Sequence, residues 1–154
     1  MRHYLFALLC LFCLPSLSTA EPQVGEFQDI HGSSLSMEEF KGKWVVVNYW
    51  ATWCPPCLEE LPELEMFHDT HKEDTAVVLA FNTEAHLSVA ELASFAEQYM
   101  LSFPIIPHHD DNPSFGAVPG LPTTFLIDPQ GEVVARQVGT VTAEMIEDFI
   151  ARQR

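Results

Sequence analysis

NYWATWCPPCLEELPEL, residues 48–64 of a 154-residue chain, joins two periodicities and decides the fold. Leading into it, Trp44 to Trp50 (WVVVNYW) is a nearly continuous apolar run rich in β-branched and aromatic side chains, as in a strand covered on both faces. From Cys54 the period changes. Cys57, Leu61 and Leu64 recur at helical spacing, Pro56 is tolerated in a first turn, and Pro62 predicts a kink in a helix of about four turns. Between strand and helix sits a CxxC pair, Cys54 and Cys57. Such a pair is a redox couple, half of a metal site or a structural staple.

Working outward, TAVVLAFN (Thr75 to Asn82) reads as a second buried strand, so strand, helix and strand predict a right-handed parallel crossover. SVAELASFAEQYM opens with Ser88 and Glu91 at capping-box spacing and carries Leu92, Phe95, Ala96 and Tyr99 on one face of a helix. FPIIP (Phe103 to Pro107) is a short strand, and HHDDNPSFGAVPG a loop with at most a turn of helix. TTFLID and EVVARQV flank DPQG, where Pro129 and Gly131 suit a type I turn, so an antiparallel hairpin follows. A last helix from Thr142 turns Ile146, Phe149 and Ile150 inward. On the N-terminal side, EFQDIHGSSLSMEEFKGK predicts an edge hairpin turning at His31 and Gly32, then a short helical turn. The pattern is one α/β domain without repeats or long linkers.

The first twenty residues differ from the rest. Arg2 and His3 precede the apolar run YLFALLCLFCLP, and Ser18 and Ala20 are small residues before a cut site, which reads as a secretory signal peptide over residues 1–20 with the domain over 21–154. The run is short of the roughly 20 residues that span a bilayer; an uncleaved anchor is the alternative. Cleavage removes Cys10 and Cys13 and leaves Cys54 and Cys57 as the only thiols. Export places them where disulfides persist, yet so short a loop restricts the unfolded chain little, which argues against a staple.

The whole chain carries 7 Lys and Arg against 22 Asp and Glu, a net charge of −15. Nucleic acid is therefore not an expected partner, since phosphate binding needs basic side chains. A solvated acidic surface suffices to explain the charge.

Cys54 falls at a helix N-terminus, where free N–H groups and the helix dipole favour an anion, so its thiolate forms more readily than that of a free cysteine. Cys57, one turn further in, is more shielded and suited to attack a mixed disulfide formed at Cys54. Pro55 and Pro56 remove two amide donors and so limit thiolate stabilisation, which points to a reducing couple. Cys57, Glu60, Leu61 and Leu64 follow i, i+3, i+4, i+7, so Glu60 faces the core while Glu59 and Glu63 face solvent. Desolvation raises the pKa of a core-facing carboxylate, which suits Glu60 to take the proton from Cys57.

WATWCPPC, with GLPTTFLIDPQG about sixty-five residues later, resembles the thioredoxin superfamily and, more narrowly, the exported TlpA/ResA-like thiol-disulfide oxidoreductases, which include reductases of cytochrome c maturation. The resemblance runs from about Val24 to the C-terminus. It implies a thioredoxin fold, a central mixed β-sheet flanked by helices with the N-terminal edge hairpin, a redox-active Cys54–Cys57 pair, and a cis bond before Pro122 facing it. Trp53, Pro55, Pro56, Leu121 and Pro122 are then the expected substrate-contacting residues. Asn48 replaces the buried aspartate of cytosolic thioredoxins, and Glu60 matches a glutamate that the exported reductases often carry. Expected partners are protein disulfides, apocytochrome c being one candidate, and an upstream thiol reductant such as a membrane electron transporter. The expected location is the periplasm, and no cofactor or metal is required.

Four rivals stand beside this reading. Cys54, Cys57, His68 and His71 approach zinc-finger spacing, but eleven residues of helix separate Cys57 from His68 by roughly 16 Å, so the histidines are read as surface helix residues. A copper-binding module would use the CxxC pair with HHDD at His108 to Asp111, an exposed loop on the simpler reading. A disulfide-introducing oxidant commonly has a histidine where this chain has Pro56. A peroxidase lacks its expected nucleophile motif here.

Overall fold

The structure, a computed structural model, describes residues 26–153. The expected signal peptide at 1–20 lies outside the described residues. Among these, no helix is long and apolar enough to cross a membrane.

Strand β3 (Trp44–Trp50) runs through the centre of a five-stranded sheet, and the apolar run predicts its limits. It is parallel to β4 (Ala76–Asn82), which is parallel to β5 (Ile105–Ile106); on its other side it is antiparallel to β6 (Thr123–Ile127), which pairs antiparallel with β7 (Val133–Val138). The order β5-β4-β3-β6-β7 is the mixed sheet of a thioredoxin fold. Helix α1 (Pro55–His71) makes the crossover from β3 to β4 and runs on through Pro62. Helix α2 (Val89–Gln98) begins with the expected capping box of Ser88 and Glu91, and α3 (Ala143–Arg152) begins on Thr142, whose hydroxyl accepts from Met145 N–H. In the β6–β7 turn, Gly131 N–H donates to Asp128 C=O at 2.9 Å, closing the predicted DPQG turn with Gly131 at a φ of 91°.

The helices all lie on one face. Trp44, Val46 and Trp50 of β3 pack with Leu61, Leu64 and Phe67 of α1, with Leu92 of α2, and with Ile146 and Ile150 of α3. Burial of Leu61, Leu64 and Phe67 contributes roughly 1.5–3 kcal/mol each. The opposite face, with Val45, Val47, Phe81 and Phe125, carries no helix longer than a turn among the described residues. Its cover is the hairpin of β1 (Phe27–Gln28) and β2 (Ser34–Leu35), the 3-10 turn Met37–Phe40, and Phe115 and Val118 of the loop after β5. Ile30 N–H donates to Ile105 C=O at 2.9 Å, so the hairpin also closes the β5 edge.

Two side chains of α1 depart from expectation. His68, expected at the surface, is 5% exposed, and its Nδ1 accepts from Val78 N–H at 3.1 Å. The cause is the shortness of β5, which pairs with β4 only at Ala80 and Phe81 and leaves the Val78 amide without a strand partner. Burial holds the His68 pKa below its ordinary value. Glu63, also expected in solvent, is half-buried and accepts from Ala143 N–H at 3.1 Å, capping α3 from the neighbouring helix.

Candidate active site

The β3–α1 junction is built to hold a short turn still. Thr83 donates to Trp50 C=O through both its N–H (3.1 Å) and its hydroxyl (3.2 Å), and Cys54 N–H donates to Ala51 C=O at 3.2 Å. Glu84, 4% exposed at its side chain, accepts from Thr52 N–H at 2.6 Å, the Thr52 hydroxyl at 3.1 Å and Asn82 Nδ2 at 3.2 Å. A buried carboxylate thus clamps the turn that delivers Cys54. Sequence reasoning missed Glu84, which carries no periodic signal and lies 32 residues from Thr52. Its one cue is position: it follows the C-terminal end of a central parallel strand, where sites of α/β sheets gather.

Cys54 is the N-cap of α1 and is joined to Cys57 by a disulfide, with their Cα atoms 5.3 Å apart. Cys54 is 3% exposed and Cys57 0%, so the outer sulfur is the only one with any access. Pro55 and Pro56 occupy the first two helical positions, and Leu58 N–H is already bonded to Cys54 C=O. Of the amides that a helix start normally offers an anion, only that of Cys57 is left. Trp53, 67% exposed, and both prolines stand at the surface beside the disulfide. The Leu121–Pro122 bond is cis. Leu121 packs against the core cluster that contains both cysteines, and Pro122 C=O accepts from Gly139 N–H at 2.9 Å.

Glu60 lies inside, 2% exposed, on the Cys57 face of α1. Its Oε1 accepts from Asn48 Nδ2 at 2.7 Å and its Oε2 from Val141 N–H at 2.9 Å. Asn48 Nδ2 also donates to the Thr124 hydroxyl at 3.0 Å, across the β3–β6 pairing. Burial raises the Glu60 pKa from 4.5 to about 7, against the opposing pull of the Val141 and Asn48 donors. The carboxyl therefore changes charge near neutral pH.

The residues of the rival metal readings fall elsewhere. His68 is bonded to β4, His71 bonds to Thr75 and Glu147 at the surface, and His108 to Asp111 follow β5, with His108 and His109 beside Tyr49 and Phe81.

The sequence profile of the AhpC/TSA family matches residues 15–136. The chain belongs to the AhpC/TSA family. Within it, the protein is similar to the thiol-disulfide oxidoreductase ResA of Halalkalibacterium halodurans, 38% identical over 140 residues that make up 88% of this chain and 77% of that one. Among solved structures it is similar to StoA from Bacillus subtilis, with a TM-score of 0.68, 28% identity, and coverage of 85% of this chain and 98% of that chain. It is also similar to the exposed lipoprotein thioredoxin Etrx1 of Streptococcus pneumoniae, with a TM-score of 0.67, 25% identity, and coverage of 83% and 98%. With its CxxC disulfide, this member of the AhpC/TSA family is a thioredoxin-fold thiol-disulfide oxidoreductase.

Proposed function

We propose that the protein is an exported reductase of protein disulfides. The observation that carries this reading is the Cys54–Cys57 disulfide at the start of α1, with one sulfur at the surface edge and a titrating carboxyl behind the other. In the forward cycle the Cys54 thiolate attacks a substrate disulfide, forming a mixed disulfide and releasing one substrate thiolate. Cys57 then passes its proton to the Glu60 carboxylate and attacks the Cys54 sulfur, which releases the second substrate thiolate and regenerates the Cys54–Cys57 disulfide. Two electrons pass to the substrate, and an upstream dithiol must restore them.

The N-terminus of α1 supports the reducing direction. A couple is strongly oxidising when its thiolate form is stabilised, and Pro55 and Pro56 withhold two of the amides that do so. Trp53 and the Leu121–Pro122 segment form the surface that a substrate chain meets. Export rests on the reading of residues 1–20 and on similarity to a pneumococcal protein described as exposed. Apocytochrome c is a substrate candidate through ResA-like ancestry, as are other misoxidised exported proteins.

The test is disulfide exchange with a peptide containing an oxidised CxxCH motif and, separately, with insulin, each in the presence of a dithiol donor. The wild-type protein should accelerate both reductions and Cys54→Ser should reduce neither above the buffer rate. Equal rates for wild type and Cys54→Ser would reject the reading.

A further inference from the structure

Asn48 is fully buried, and its amide is used on one side only. Nδ2 donates to Glu60 Oε1 at 2.7 Å and to the Thr124 hydroxyl at 3.0 Å, while Oδ1 finds no hydrogen-bond partner among the described residues. A buried acceptor left without a donor is costly. Both neighbours of Nδ2 can reverse their roles. A hydroxyl donates or accepts as its hydrogen rotates, and a carboxyl becomes a donor when it takes up a proton. Glu60 Oε2 is held by the backbone amide of Val141, which cannot turn round, so the acid proton belongs on Oε1, opposite the Asn48 amide. There a fixed N–H would face an O–H, and the acid proton would find no acceptor on the Asn48 amide.

We propose that the Asn48 amide turns over when Glu60 takes up a proton, presenting Nδ2 to the carboxylate and Oδ1 to the carboxylic acid, with Thr124 reversing its hydroxyl in step. In the turned state Oδ1 accepts from Glu60 and from Thr124 together, so the side chain serves both forms of the acid. Asn48 is thereby a positioning residue for Glu60. An aspartate at this place could offer Glu60 no N–H, and a non-rotating donor could satisfy the carboxylate alone. The groups around Glu60 leave this exchange as the local response. Cys57 and Glu63 share its helix, and Glu63 is engaged with Ala143 N–H. Strands β3 and β6 contribute Asn48 and Thr124, the α3 side contributes Val141 N–H, and Glu144 at the start of α3 is exposed. The exchange rests on the reading of Glu60 as the proton acceptor of Cys57 for its purpose, though its occurrence can be measured separately.

The experiment uses the oxidised protein, in which neither Cys54 nor Cys57 titrates. Isotope-edited NMR follows the Glu60 carboxyl carbon between pH 5 and 9, together with the cross-peaks from the Asn48 side-chain NH2 to Thr124. At high pH those cross-peaks should be present. They should be lost as pH falls, with the midpoint of the Glu60 carboxyl titration. In Glu60→Gln, whose amide can donate permanently to Oδ1, the low-pH pattern should hold at every pH. Cross-peaks unchanged through the Glu60 titration, or a Glu60 carboxyl that does not titrate in this range, would overturn the proposal. Reversal of the amide alongside an unaltered Cys57 pH profile in Glu60→Gln would instead refute only the proton-acceptor role.

Discussion

Cys57→Ser mixed with a disulfide substrate should stop halfway, with the substrate bound to Cys54 as a mixed disulfide that persists until an external thiol is added. Cys54 keeps its place as the N-cap of α1 and keeps the nearby Cys57-position amide, so the first attack survives. Among the described residues, the only sulfur able to attack the mixed disulfide from within, the fully buried Cys57, is gone. Turnover should fall on the order of 10³-fold or more, the scale for losing one member of a catalytic unit. Non-reducing mass spectrometry reads the result as the protein mass plus one substrate chain. Release of both substrate thiols at the wild-type rate would show that resolution does not pass through Cys57.

Glu60→Gln should slow the resolving step by about 10²-fold at neutral pH, the lower range for loss of a positioned general base. In the wild type this step should quicken with pH as the carboxyl ionises around 7. Without the carboxyl, the profile should move to higher pH and follow the Cys57 thiol. Stopped-flow measurement of mixed-disulfide decay separates the two profiles. The same substitution has a thermodynamic signature with a definite sign. Glu60 ionises near 4.5 in the unfolded chain and about 7 in the folded one, so between these values the folded state binds more protons. Wild-type stability therefore falls as pH rises through that window, by up to about 3 kcal/mol, and does not fall further from this cause above it. Denaturation of the oxidised protein should show the difference between Glu60→Gln and wild type growing in favour of the variant from pH 4.5 to pH 8.

Much of this site is local in the chain, and that part is legible in the sequence. The change of period at Cys54 places the strand end, the helix start and the inward direction of Glu60, because each depends on neighbours within two turns. The capping box at Ser88 and the DPQG turn are legible for the same reason. Residues whose burial depends on distant segments are harder. His68 continues the stripe of Cys57, Leu61 and Leu64 at the next turn, so its burial could have been read. Its partner, an amide exposed by the shortness of β5, could not. Glu63 and Glu60 meet backbone amides 80 and 81 residues away, and nothing in helical spacing marks which carboxylates will cap another helix. Glu84 is the same case in a loop. The cover of the second sheet face by a hairpin and a loop also depends on contacts that periodicity does not encode.

The central claim is that this CxxC pair gives electrons to disulfides, and equilibrium titration of Cys54–Cys57 in dithiol and glutathione buffers tests it most directly. With Pro55 and Pro56 limiting stabilisation of the thiolate, the potential should lie near the thioredoxin value of about −270 mV. A value near about −120 mV, that of a strong disulfide-introducing oxidant, would contradict it.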